Sequence, residues 1–164
     1  MGRSTAAVTT EEIRALLRRQ AATVTVVTAA GAPPAGFTAT SFTSVSLHPP
    51  LVSFAVARSS SCWPAVERAT HVAVHLLAED QEEVARTFAA RGVDRFAGPT
   101  AWRPGPYDVP LLDGALAWLA CRVSRLVPAG DHAIVLAEPL AGGQRDDGAA
   151  PLLYHAGRYA QIRR

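Results

Sequence analysis

The chain of 164 residues is 49% hydrophobic and 18% charged, a composition that excludes a disordered protein and favours one domain spanning residues 1–164. Its formal net charge of +2 and its dispersed arginines argue against a dedicated nucleic-acid-binding protein. All 16 basic residues are Arg, which excludes Schiff-base, pyridoxal-phosphate and Gly-Lys-Ser/Thr phosphate-loop mechanisms, since each of these needs a lysine.

The first half of the chain is predicted to contain a tail, a helix and several strands. The tail takes about residues 1–9, and Thr9 and Glu12 have the spacing of a capping box that begins a helix ending near Ala22. Runs of β-branched and apolar residues between Pro and Gly predict strands, and Pro64 suits the first turn of a second helix. The expected strands cover residues 23–29, 36–47, 51–57 and 71–78, and the second helix covers 61–69.

The second half is predicted to hold one more helix, a long loop and three strands. Glu79 and Asp80 place negative charge at the start of a helix that carries Phe88. Residues 91–113, with four prolines, are expected to form a long irregular excursion. The strands are expected at 115–127, 133–140 and 152–161. With no βαβ alternation and no GxGxxG, this order predicts a mainly β fold with short helices, a small antiparallel barrel rather than a Rossmann domain.

Residues 36–46 (GFTATSFTSVS) are the most unusual segment, because six of the eleven are Ser or Thr. At strand period, hydroxyls occupy one face and apolar side chains the other. Hydroxyls and backbone amides bind phosphate, ribityl or ring carbonyl oxygens without adding fixed charge. The alternative is a solvated strand face. The predicted hydroxyl face holds Thr38, Thr40, Ser44 and Ser46, opposite Phe37, Ala39 and Val45.

Two shorter segments are weaker candidates. Arg58 and the serines after it follow a buried strand, where they either receive a phosphate or form an ordinary capped loop. Asp131 and His132 lie in a predicted hairpin, as turn residues or as a His placed over a ligand and oriented by Asp131. His71 and His75 are four residues apart with no third ligand nearby, so no metal site is expected.

A cytoplasmic location with no membrane span is expected. Residues 20–57 carry no charge, but their prolines, glycines and hydroxyls suit short strands and turns rather than a membrane helix. Cys62 and Cys121 form neither a CxxC pair nor a zinc spacing, and no apolar signal segment follows Met1.

Several segments together resemble the short-chain flavin reductase family, the reductase components of two-component flavin-dependent monooxygenases. The resemblance spans about residues 15–162. The long first motif and the Gly-Asp-His triplet, in this order and spacing, are jointly specific. The matching segments are 36–52 (GFTATSFTSVSLHPPLV), 94–98 (DRFAG), 112–116 (LDGAL), 130–132 (GDH) and 154–159 (YHAGRY).

The resemblance implies a homodimeric split β-barrel that binds FMN or FAD near the dimer interface. It implies transfer of hydride from NADH or NADPH to the flavin, and release of reduced flavin to a partner monooxygenase. No extra basic pocket for a 2′-phosphate is evident, which favours NADH. Two alternatives are a split-barrel flavin-binding protein without reductase activity and an enzyme whose tightly bound flavin reduces another acceptor.

The resemblance also implies roles for individual residues. His132 would lie near the nicotinamide as the catalytic residue, with Asp131 beside it in the cofactor site. Many relatives carry Asn where Ala57 precedes Arg58, which leaves the mode of phosphate binding open. The residues expected along the flavin ring and ribityl chain are Thr38, Ala39, Thr40 and Ser41, with Ser44, Val45 and Ser46 beside them. Those expected at the phosphate end are Arg58, Ser59, Ser61 and Cys62. Those expected to border the ring are Arg158, Tyr159 and Phe96, the last from this chain or its partner subunit.

Overall fold

A computed structural model describes residues 7–98 and 100–163. Residues 1–6 of the expected tail lie outside the described residues, as do Pro99 and Arg164. The helices are α1 (Thr10–Leu17), α2 (Trp63–Arg68) and α3 (Glu82–Ala89). The strands are β1 (Ala22–Thr23), β2 (Thr25–Ala29), β3 (Ala35–Ala39), β4 (Thr43–Leu47), β5 (Pro50–Ala57), β6 (His71–Leu76), β7 (Trp102–Pro104), β8 (Pro110–Leu112), β9 (Ala117–Ala129), β10 (His132–Gln144), β11 (Leu153–His155) and β12 (Arg158–Ala160).

The main sheet has seven antiparallel strands in the order β3-β2-β6-β9-β10-β5-β4. The long β9–β10 hairpin is inserted between β6 and β5. A three-stranded sheet, β1-β11-β12, and the β7–β8 hairpin complete the strands of the described chain. The mainly β prediction with short helices is confirmed. No helix among the described residues has the length and apolar character needed to cross a bilayer.

The core lies on both faces of β2, whose five residues are all buried. Successive strand residues point to opposite faces, so Val27 joins a cluster with Phe37 and Phe54, while Val26 joins a second cluster with Phe88 of α3. The rings of Phe37 and Phe54 are 6.1 Å apart. Burying each large aromatic side chain contributes about 1.5–3 kcal/mol, and the second cluster, through Phe88, holds α3 against the sheet.

Helix α1 begins as predicted. The Thr9 hydroxyl accepts from the Glu12 amide at 3.2 Å, and the Glu12 carboxylate accepts from the Thr9 amide at 2.8 Å. The helix ends at Leu17, earlier than the expected Ala22. Helix α3 begins at Glu82, so Glu79 and Asp80 precede it rather than lie in its first turn, and that detail of the prediction is wrong.

Two predicted strands are each divided in the structure. The run 23–29 is interrupted at Val24, whose backbone bonds to Leu152 and Leu77. The run 36–47 bends at Thr40 and forms β3 and β4, which lie at opposite ends of the seven-strand order. The prediction of one continuous hydroxyl face over this run is therefore wrong.

The excursion 91–113 is also more ordered than predicted, because it contains the β7–β8 hairpin. His75 of β6 is fully buried, and its Nδ1 lies 2.9 Å from the Val26 carbonyl oxygen. Its Nε2 accepts from the Leu112 amide at 3.0 Å, so Nδ1 carries the proton and the ring is neutral. The Thr28 hydroxyl donates to the Pro110 carbonyl at 2.6 Å. These buried bonds attach the hairpin to the main sheet.

The predicted last strand, 152–161, is a hairpin of β11 and β12. Ala156 and Gly157 form its turn with φ of 50° and 78°, which is the left-handed pair that a tight hairpin needs. A Cβ on Gly157 would lie 2.8 Å from Arg18 Nη2, so the Arg18 side chain would have to shift to admit any other residue there.

Candidate functional site

A cavity of about 560 Å³ lies between β3, the end of β5, the loop that follows β5 and the C-terminal end of α3. Its size falls within the usual range for small-molecule sites. Seven predicted site residues line this cavity, although they come from three separate parts of the chain. They are Thr38, Ala39, Thr40, Ser41, Ser59, Ser61 and His132.

The hydroxyls of the cavity divide into those that shape it and those that remain available. The Thr38 hydroxyl donates to the Ala85 carbonyl of α3 at 2.7 Å, which ties β3 to the helix. The Ser41 hydroxyl accepts from the Ala55 amide at 2.9 Å, which joins the segment after β3 to β5. In the described chain, the hydroxyls of Thr40, Ser59 and Ser61 have no hydrogen-bond partner. These three can therefore bind a ligand without breaking a protein contact.

The cavity wall is positively charged. Arg91 and Arg95 line it, and no Asp or Glu is found among its described lining residues. A positive wall with free hydroxyls is suited to a phosphate-bearing ligand.

Arg95 is a site residue that the sequence analysis missed. Its Nε and Nη2 donate to the Ala90 carbonyl at 3.1 and 2.8 Å, and its Nη1 donates to the Gly36 carbonyl at 2.6 Å. Nη1 also lies 3.2 Å from Cys62 Sγ. One guanidinium thus joins the end of α3, strand β3 and the start of α2. Arg95 lies within the 94–98 motif, but only the folded chain shows that the Ala90 and Gly36 carbonyls come together around its guanidinium.

His132 begins β10 at the mouth of the cavity, where its side chain is 45% exposed. Its Nδ1 lies 2.7 Å from Asp131 Oδ1, and this hydrogen bond lowers the pKa of the Asp131 carboxyl. An ionised carboxylate only accepts, so Nδ1 carries the proton, and Nε2 has no hydrogen-bond partner in the described chain.

The sequence analysis expected Arg58 at the phosphate end of the site, but its side chain does not line the cavity. Its guanidinium donates to the Gly130 carbonyl, and its amide donates to the Asp131 carbonyl at 3.0 Å. Arg58 therefore fastens the β9–β10 turn that carries His132, and the side chain is directed to that turn rather than to the cavity lining. Its assignment with Ser59 and Ser61 to the phosphate end of the site stays a prediction.

Two other predicted residues lie behind the cavity wall. Cys62 is buried and its thiol donates to the Gly36 carbonyl at 3.1 Å. Phe96 packs edge-on against Phe88 and Trp102, with ring centroids 5.2 and 5.3 Å apart. Ser44, Val45 and Ser46 are in β4 at the far end of the strand order and do not line the cavity.

Arg158 and Tyr159 line a second cavity, of about 540 Å³, on the other side of the end of α3. Ala89, the last residue of α3, lines both cavities. The structure therefore divides the predicted site residues into two neighbouring groups.

The chain is similar to known proteins in both sequence and structure. The family model described as flavin reductase like domain matches residues 17–163. The curated NADH:FMN oxidoreductase of Rhodococcus qingshengii is 45% identical over 152 residues, which cover 90% of this chain and 79% of that protein. The reductase component of a flavin-dependent trigonelline monooxygenase from Acinetobacter baylyi is 41% identical over 138 residues, covering 83% of this chain and 44% of that protein. Among solved structures, a Streptomyces globisporus NADH:FAD oxidoreductase in complex with NAD and FAD fragments matches with a TM-score of 0.88 and 36% identity, covering 93% of this chain and 92% of that chain.

Proposed function

The chain belongs to the flavin reductase-like domain family, and from this premise we propose that it is an NADH-dependent flavin reductase acting as a single domain. In this reaction a hydride passes from the nicotinamide ring to the flavin, which supplies the redox chemistry. The observation that carries the proposal is the positive, hydroxyl-lined cavity with the His132 ring at its mouth.

The donor set of the cavity fits FMN or the FMN half of FAD. Free hydroxyls of Thr40, Ser59 and Ser61 match the ribityl oxygens and the phosphate, and Arg91 supplies a compensating charge. We assign Arg95 to holding the walls together, because its guanidinium is already engaged with the chain.

His132 is assigned to the nicotinamide side of the site. Asp131 fixes the ring through Nδ1, and Arg58 fixes the turn that carries both residues. Nε2 is then free to bond a ligand at the cavity mouth. The chain's contribution is to hold the nicotinamide and flavin rings stacked on each other and to exclude water, as is usual when cofactors carry the chemistry.

The partner that receives reduced flavin is proposed to be a flavin-dependent monooxygenase, since the relative from Acinetobacter baylyi is named as a monooxygenase reductase component. We also propose a cytoplasmic location, in keeping with the two free cysteines.

A homodimer is proposed from the exposed face of α1. None of its residues is buried, and Leu16 and Leu17 are 63% and 60% exposed. An apolar helix face of this kind needs cover, and a second copy of the chain would supply it. Sedimentation at micromolar concentration should give a dimer that Leu16→Glu weakens, with Arg14→Glu on the same helix as control. A monomeric wild-type protein would contradict the dimer.

The enzyme assay is steady-state oxidation of NADH with FMN, FAD or riboflavin added in turn. Turnover that depends on added flavin is expected. Tight flavin binding with no NADH oxidation would refute the reductase and favour a flavin-binding protein or an enzyme that uses another acceptor.

A pair of threonines tests the cavity itself. Loss of one hydrogen bond of about 1 kcal/mol changes an equilibrium roughly fivefold, so Thr40→Ala should raise the KM for flavin about fivefold. Thr43→Ala removes the same group from β4, outside the cavity, and should leave that KM unchanged. Equal changes of the KM for flavin in the two variants would contradict the assignment of this cavity as the flavin site.

A further inference from the structure

The turn between β9 and β10 has little packing of its own. Beyond its chain neighbours, a Cβ on Gly130 would meet no atom within 4 Å, and the Asp131 side chain is 95% exposed. His132 follows directly and begins β10 at the mouth of the first cavity. Since few buried contacts hold this turn, its conformation depends on the hydrogen bonds that reach it.

Arg58 supplies those hydrogen bonds. Its guanidinium donates to the Gly130 carbonyl, and its amide donates to the Asp131 carbonyl at 3.0 Å. In the part of the chain that the structure describes, no other hydrogen bond reaches Gly130 or Asp131 from outside the β9–β10 hairpin. One bond comes from the side chain and the other from the backbone, so a substitution of Arg58 removes the first and leaves the second.

The orientation of the His132 ring depends on this turn. Its Nδ1 donates to Asp131 Oδ1 at 2.7 Å, so the carboxylate that orients the ring belongs to the turn itself. That hydrogen bond and, to a smaller extent, the positive charge of Arg58 lower the pKa of the Asp131 carboxyl. The ionised carboxylate keeps the proton on Nδ1. A displaced turn would therefore move the ring and break the bond that fixes its tautomer.

The geometry points to Arg58 as a positioning residue for hydride transfer, which holds the β9–β10 turn in place and acts on the reaction only through His132. The inference rests on the proposed function, which assigns His132 to the nicotinamide side of the site. It differs from the role that the family resemblance implies, in which Arg58 holds the flavin phosphate. A positioning role affects the reaction with NADH, whereas a phosphate contact affects the binding of FMN.

Arg58→Gln separates the two roles. The kcat/KM for NADH should fall by about 5- to 100-fold, from the loss of one hydrogen bond at the lower end to a misplacement of the ring by about 1 Å at the upper end. The Kd values of FMN and riboflavin, measured by fluorescence titration, should remain those of wild type. A rise in the Kd of FMN without one for riboflavin would show that Arg58 binds the phosphate. That result, or an unchanged kcat/KM for NADH, overturns the proposal.

A double-mutant cycle tests whether Arg58 acts through His132. Because His132→Ala removes the ring, adding Arg58→Gln to that variant should not lower its kcat/KM for NADH any further. If the two fold-changes multiply instead, Arg58 acts independently of the ring and the proposal is overturned. Arg58→Lys keeps one donor for the Gly130 carbonyl and should recover part of the activity that Arg58→Gln loses.

The matched control is another exposed arginine of the same hairpin. Arg125→Gln changes the net charge by the same amount, but Arg125 lies on β9 outside the first cavity. Its kcat/KM for NADH should be that of wild type. An equal loss of activity in Arg125→Gln and Arg58→Gln would show that the lost charge is responsible, and it would overturn the positioning role.

The imidazole ring gives a readout that needs no substrate. In a proton–nitrogen correlation spectrum at mildly alkaline pH, His132 of the wild type should show a protonated Nδ1, with its signals identified by their loss in His132→Ala. In Arg58→Gln these signals should move toward an average of the two neutral tautomers, while those of the buried His75 stay unchanged and report an intact fold. Unchanged His132 signals in Arg58→Gln would overturn the proposal. Wild-type protein that does not oxidise NADH would refute the proposed function, but not the link from Arg58 to the ring, which the spectrum measures on its own.

Discussion

The buried His75 should make the stability of the protein depend steeply on pH. Burial lowers the pKa of His75 from 6.5 to about 4, because the interior penalises the charged ring more than the bond to the Val26 carbonyl favours it. Between pH 6.5 and 4 the unfolded chain therefore binds a proton that the folded chain refuses. The free energy of unfolding falls as the pH falls through this window and is constant above it, as far as His75 is concerned.

The size of the effect follows from the shift. A difference of 2.5 pKa units at 1.36 kcal/mol each gives about 3 kcal/mol of stability lost between pH 7 and pH 4. His75→Gln removes the titrating group but also breaks at least one of two buried hydrogen bonds, at a cost of about 1–3 kcal/mol at neutral pH. The variant should thus be less stable than wild type at pH 7 and should approach or exceed it at pH 4.

Urea unfolding at a series of pH values measures this directly. His71→Gln is the matched control, because His71 lies on the same strand, is only half-buried and stacks on Tyr107. Because the control retains His75, it should still lose stability between pH 7 and pH 4, whereas His75→Gln should flatten the slope of stability against pH. If His75→Gln loses as much stability between pH 7 and pH 4 as wild type, the reasoning about the buried ring is refuted.

Three further predictions concern packing and the first cavity. Gly36→Ala should destabilise the fold by about 1–3 kcal/mol in urea unfolding, because a Cβ there would lie 2.7 Å from the Phe88 ring and 3.2 Å from Phe96. Burial raises the pKa of the Cys121 thiol to about 12, so iodoacetamide at mildly alkaline pH should leave Cys121 unmodified in the folded protein and label it in guanidinium chloride, as judged by mass spectrometry. Arg95→Lys should weaken FMN binding in a fluorescence titration, since a single ammonium cannot replace the guanidinium bonds that join three walls of the cavity; an unchanged Kd would show that those walls hold without it.

Local signals in the sequence predicted the positions of most elements. Thr9 and Glu12 formed the expected capping box because both bonds lie within four residues. Pro64 stands in the first turn of α2, where a missing amide costs nothing. The hairpin at Ala156 and Gly157 carried the same kind of local signal, a glycine between two short strands, and could have been predicted.

The missed features depend on contacts between distant residues. Val24 interrupts a β-branched run because its backbone bonds to Leu152 and Leu77, and nothing within the run itself indicates that. Period-two alternation placed Thr40 and Ser44 on a common face, but the bend between them sends the two strands to different ends of the sheet. Arg95 was missed because its partners are carbonyl oxygens, which every residue carries and no motif marks.

The insertion of β9 and β10 between β6 and β5 also determines how long the edges of β5 and β6 stay unpaired during synthesis, when unpaired edges can aggregate. Ala57 at the end of β5 pairs with His132, a residue made 75 positions later. At elongation rates of about 5–20 residues per second this interval lasts roughly 4–15 s. During this interval β5, and then β6 once residues 71–76 have been made, lack their β10 and β9 neighbours, and each presents an open edge of apolar strand. Variants that slow formation of the β9–β10 turn should therefore reduce soluble yield before they reduce the stability of the finished protein.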